Sequence, residues 1–121
     1  QAPMSDEASK IDYRTGDILS ELQKMNDNSI DFVVCAHVIE HLVDPEVVVR
    51  QLKRISSKCL VIICPLEREF KWGMNYHVNF FPDKNYFSAF LATALYDDAN
   101  KFLDGVIHER LGDAMYVEIY N

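Results

Sequence analysis

Two short apolar runs, residues 30–36 and 59–64, flank one amphipathic stretch, and that spacing leaves the chain few folds to choose from. Each run is too continuous for a strand wet on one face, so both read as inner strands of a sheet covered on two sides. Between them, Asp44, Pro45 and Glu46 form a helix start: a capping carboxylate, a proline at the first helical position and an acid in the first turn. Val48, Leu52 and Ile55 then recur on one face, which predicts a helix running to about Ser56. Arg50, Lys53, Arg54 and Lys58 gather toward its end, where cations suit the helix dipole. Two buried strands joined by one helix predict a right-handed parallel crossover. The first polar groups capable of chemistry, His37, Glu40 and His41, follow directly on the first run.

Composition limits what such a unit can serve. With 121 residues the chain has room for one domain, and 49% hydrophobic with 26% charged residues is ordinary for a globular core. A net charge of −7 argues against a nucleic-acid partner, because phosphate binding needs a basic field. The basic cluster around Arg50 and Arg54 reads as the wet face of a helix rather than a phosphate site. No apolar run approaches the roughly 20 residues that span a membrane, and the first residues do not resemble a signal peptide. Cys35, Cys59 and Cys64 all fall in expected strands without C-x-x-C spacing, which suggests small core residues of a reducing, cytoplasmic compartment.

The rest of the chain fills in around this unit. Residues 1–10 are polar and aperiodic and read as a flexible tail, leaving 11–121 as a single domain. Residues 11–15 alternate weakly, as a strand would, and end at Gly16-Asp17; residues 18–25 predict a short helix with Leu19, Leu22 and Met25 inward. Beyond Pro65, residues 66–81 are rich in large side chains, among them Trp72, His77 and Phe81. They serve equally well as a wall beside a ligand at the carboxyl edge of the sheet or as a cover over the core. Asp83 caps a helix over 84–95 with a packing stripe of Phe87, Phe90, Leu91, Ala94 and Leu95, and residues 101–110 and 114–120 alternate as an antiparallel hairpin.

The string from Ile30 to Pro45, with Leu52-Lys53-Arg54-Ile55 and Val61-Ile62-Ile63-Cys64-Pro65, resembles the second half of a class I S-adenosylmethionine-dependent methyltransferase. In that family the fourth strand ends in a similar E-H-L-x-D-P pattern. The resemblance implies a partial Rossmann-like α/β fold, a three-layer sandwich whose mostly parallel sheet ends in an antiparallel hairpin. It implies S-adenosylmethionine as cofactor and methyl transfer to a small-molecule acceptor. By the same resemblance Asp17 and Ile18 meet the adenine, Ala36 and His37 the methionine end, and Glu40, His41 and His77 the acceptor, with His41 or His77 the better base. Asp17 reads equally well as the plain N-cap of the helix after it.

The family's first strand, glycine-rich loop and ribose-binding acid have no counterpart before Tyr13, and Gly16, Gly73, Gly105 and Gly112 lack nucleotide-loop spacing. Losing two such charge-assisted contacts, roughly 1.5–3 kcal/mol each, predicts weak or no cofactor binding by the chain alone. Without the first strand, the edge of residues 30–36 is uncovered, which predicts a homodimer through that edge or through helical faces. A non-catalytic interaction module, or a fragment of a longer enzyme, is the alternative. His37-x-x-Glu40-His41 also fits the H-x-x-E-H zinc pattern, but it follows a strand instead of lying mid-helix, so no metal is expected.

Overall fold

The computed structural model describes residues 10–66, 79, 81–96, 106–112 and 114–120. In chain order these form α1 (Ile18–Gln23), β1 (Ile30–Ala36), a 3-10 turn (Ile39–His41), α2 (Pro45–Ile55), β2 (Ser56–Pro65), α3 (Lys84–Tyr96), β3 (Val106–Leu111) and β4 (Ala114–Tyr120). The strands make one sheet in the order β1-β2-β4-β3. β1 and β2 run parallel, with Val34 opposite Val61 and Ala36 opposite Ile63. The other two ladders are antiparallel, with Ile62 opposite Val117 and Val117 opposite His108. The parallel crossover and the closing hairpin are therefore present, and among the described residues β1 and β3 are the edge strands.

Local chemistry explains the boundaries. Gly16 takes φ +136, a backbone region side chains avoid, and so turns the chain into Asp17. Asp17 then caps α1, its Oδ2 accepting from Ser20 N–H at 2.9 Å and from the Ser20 hydroxyl at 3.0 Å. Asp83 repeats the device at α3, accepting from the amides of Asn85 and Tyr86 at 2.9 and 3.0 Å. Asp44 does not: its side chain makes no capping bond, and Pro45 alone marks the start of α2. α2 passes into β2 without a loop, because the Ser56 N–H reaches back to Leu52 O and its hydroxyl donates to Lys53 O at 2.9 Å. A left-handed Gly112 turns the hairpin.

All three helices lie on one face of the sheet. Leu22 of α1, Val48, Val49, Leu52 and Ile55 of α2, and Phe87, Leu91 and Ala94 of α3 share one core with Val33, Cys35, Leu60, Ile62, Cys64, Met115, Val117 and Ile119. The alternate positions of the same strands face away from every described helix. There Phe32 is 66% and Val34 65% exposed. Among the described residues the helices cover one face of the sheet, and the outward side chains of the first run lie on the other.

Two expectations are corrected. Residues 11–15 form no strand, and Ile11 and Tyr13 are exposed, so they leave the outer edge of β1 unpaired among the described residues. Arg54 is no wet-face cation: its Nη1 donates to Met25 O at 2.8 Å and Asp27 Oδ1 at 2.7 Å, and its Nη2 to Leu22 O at 2.8 Å, tying α2 to the end of α1. Arg50 Nε likewise donates to Ala94 O at 2.7 Å and clasps α3. No helix among the described residues is long and apolar enough to cross a membrane. The tail expected over 1–10 lies outside the described residues except for Lys10.

Candidate functional site

The carboxyl end of β1 is where the polar groups converge. Residue 37 ends the strand in an unusual way: its N–H still donates to Ile63 O at 2.8 Å, yet its φ is +55. A histidine in this left-handed region is uncommon, and the reversal breaks the strand and swings the chain into the turn at 39–41. Ile39, fully buried, anchors the turn in the core. Glu40 follows and is only 1% exposed.

Both imidazoles face that carboxylate. His37 Nδ1 lies 3.8 Å and His41 Nε2 3.7 Å from Glu40 Oε1. These are ion-pair distances when an imidazole carries a proton and too long for direct hydrogen bonds. Glu40 Oε2 is buried and has no hydrogen-bond partner among the described residues. Cys35, near the end of β1, feels the same group: burial first, then the Glu40 charge, push its thiol up to about 11, so it stays a protonated core residue. The two histidines remain open to solvent, their side chains 60% and 46% exposed. The arrangement therefore pairs a hidden carboxylate with two accessible imidazoles.

Asn79, which the sequence reading passed over, fastens this turn from outside. Its N–H donates to Glu40 O at 3.0 Å, and its Nδ2 to Ile39 O at 2.8 Å and to Leu42 O. An asparagine next to an expected aromatic wall carries little signal in one sequence. Only the fold reveals that its amide spans the turn.

A cleft of about 320 Å³ opens beside the turn, lined by Asp17, Ile18, Leu19, His41, Leu42, Val43, Asp44 and Val48. It joins two parts of the chain for which the resemblance implied different partners: Asp17 and Ile18, for the adenine, and His41, for the acceptor, line the same cleft. The Asp17 carboxyl is held below its ordinary range by the hydrogen bonds from Ser20, so it is ionised at neutral pH. The capping reading of Asp17 is thus realised, and its place on the cleft wall is a separate fact. Ala36 and His37 are exposed at the end of β1. His77 lies outside the described residues. Among the described residues, no three histidine, cysteine, aspartate or glutamate side chains stand where they can share a metal ion.

Residues 1–59 match a family model described as a methyltransferase domain, a stretch that takes in α1, β1 and α2. No curated protein matches the sequence. Among solved structures, a SAM dependent methyltransferase from Aquifex aeolicus aligns with 79% of this chain at 20% identity and a TM-score of 0.49. The aligned region covers 48% of that structure, so the chain spans about half its length.

Proposed function

We propose that this methyltransferase-like chain forms the adenine and acceptor side of an S-adenosylmethionine site. The observation that carries this reading is the cleft that brings Asp17 and Ile18 to face His41. Its apolar lining, which includes Ile18, Leu42 and Val48, suits a flat apolar ring. Its volume, about 320 Å³, sits at the small end of the roughly 300–1,000 Å³ typical of ligand pockets, in keeping with the nucleoside end of such a cofactor. The residues thus fit the nucleoside end of the cofactor. Ionised Asp17 would accept from the adenine amine and the backbone at Ile18 would meet the ring.

When bound, the cofactor supplies a methyl group on a sulfonium to an acceptor nucleophile. The chain's own contribution is placement and proton handling. Ala36 and His37 border the region beyond the adenine. His41, on the cleft wall and open to solvent, accepts a proton from an acceptor that must lose one, and buried Glu40 stabilises the imidazolium that results. As a lone chain the affinity is expected to be weak, since no glycine-rich loop is present to hold the rest of the ligand.

A second reading is supported by the bare face of the sheet. Phe32 and Val34 are exposed next to the unpaired edge of β1, as an interaction module that dimerises through this strand would require. Calorimetric titration with S-adenosylhomocysteine, with the solution mass measured on the same sample, separates the two. Saturable binding lost in the variant Ile18→Asp supports the cofactor reading. No heat at millimolar ligand from a stable dimer supports the module.

A further inference from the structure

We propose that Asn79 is a positioning residue, which acts on the His37 and His41 imidazoles through Glu40. The proposal gives the site of the preceding section an added member, and its use in methyl transfer rests on that reading. Two departures from relaxed structure meet in the turn. His37 is left-handed, and the buried Glu40 carboxylate has an oxygen with no hydrogen-bond partner among the described residues. Groups in such states persist only where the surroundings over-determine them, and they cluster at functional sites.

The turn's own bonds do not hold it in place against the rest of the molecule. His41 N–H to Val38 O at 3.0 Å and Leu42 N–H to Ile39 O at 3.3 Å close it upon itself. Asn79 comes from 37 to 40 residues away and takes three of its carbonyls, those of Ile39, Glu40 and Leu42. A side-chain amide is suited to this because it offers two donors from one nitrogen, and here both are used on successive exits of the turn. The backbone N–H of Asn79 holds Glu40 O, and its side-chain amide ties the carbonyls of Ile39 and Leu42 on either side of Glu40, so these two side-chain bonds are the ones a substitution removes. Asn79 touches neither imidazole in any of these bonds. Its effect on them passes through the place of Glu40, which Ile39 anchors from the core side and the Asn79 amide from outside.

The test is made on the whole chain, with Asn79→Ala, Glu40→Met and the double variant. Imidazole proton–nitrogen NMR correlations and the thermal midpoint are read on each, and S-adenosylhomocysteine binding is read on the wild type and on Asn79→Ala. The expected result is that Asn79→Ala moves the signals of both His37 and His41, that Glu40→Met moves the same two, and that adding Asn79→Ala to Glu40→Met moves them no further. Asn79→Ser, which retains one donor, is expected to move them less, and it serves in place of the alanine variant if that does not fold. A lowered midpoint with both imidazole signals unmoved means that Asn79 is only a structural clasp and overturns the proposal. Ligand affinity is expected to fall about tenfold in Asn79→Ala, the scale of one or two lost neutral hydrogen bonds. A wild-type chain that binds no S-adenosylhomocysteine defeats the methyltransferase reading and leaves the imidazole result to decide the role of Asn79.

Discussion

The two faces of the sheet are built from the same kinds of residue and meet opposite fates. On one, Leu60, Ile62 and Val117 are fully buried beneath three helices; on the other, Phe32 and Val34 stand about two-thirds exposed. Adjacent residues of one strand, such as Val33 and Val34, differ only in which way the pleat points them. Hydrophobicity therefore set where the sheet forms, and the supply of helices set which side of it is a core. The bare side carries its own polar device, since the Tyr116 and Tyr120 hydroxyls both donate to Glu118, one to each carboxylate oxygen.

Substitutions can break this contrast. Leu60→Ala, on the covered face, is expected to cost roughly 2–5 kcal/mol in denaturant unfolding, as large-to-small core changes do. Val34→Thr on the bare face is expected to fall within about 0.5 kcal/mol, as surface changes do. A loss at Val34 comparable to that at Leu60 would mean that the bare face is covered in solution, and a mass measurement would show by how many copies. Arg54→Ala acts at the rim of the covered face, where it frees the carbonyls of Leu22 and Met25. About 1.5–3 kcal/mol is expected, the range for hydrogen bonds to a charged donor, with Arg54→Lys restoring only part of it.

The bare face gives smaller effects that are read through pH. Hydrogen bonding to Glu118, then desolvation and the nearby charge, push the Tyr116 hydroxyl up to about 12. A raised folded value means that the stabilisation is present below the ordinary tyrosine range near 10 and is lost as pH rises toward 12. Spectrophotometric titration of phenolate is expected to show a late step that Glu118→Gln brings earlier. Glu118 itself is held below its ordinary range by bonds from Tyr116 and then Tyr120, so its contribution is present above about pH 4.5 and is lost in acid. The smallest effect is expected at Cys35, whose raised thiol should react far more slowly with alkylating reagents at neutral pH than in the unfolded chain.

Much of the fold was legible because its signals are local. The run Ile30–Ala36, the proline start of α2, the Asp83 cap and the alternation of Ala114–Tyr120 each depend on neighbours in sequence. The weak alternation of 11–15 misled, because a strand needs a partner and the unpaired edge of β1 does not take it. Asp44 has the sequence of a cap and makes none, whereas Asp17, where capping and ligand recognition were both open, does cap. At the site, His37, Glu40 and His41 were legible as chemistry after a strand. That Glu40 is buried between the other two was not.

By itself the sequence determined most of the inventory and its order: the strands and helices from Ile18 onward among the described residues, the parallel step from β1 to β2, and a turn bearing two histidines and a glutamate. Period and capping chemistry act over a few residues, so one chain suffices to read them. Tertiary structure alone decided which sheet face is covered, that Arg50 and Arg54 serve as clasps, that Asp17 and His41 share a cleft, and that Asn79 holds the turn. Each of these is a contact between groups tens of residues apart. Its existence depends on how packed layers bring chain segments together, and spacing along the sequence carries no record of that.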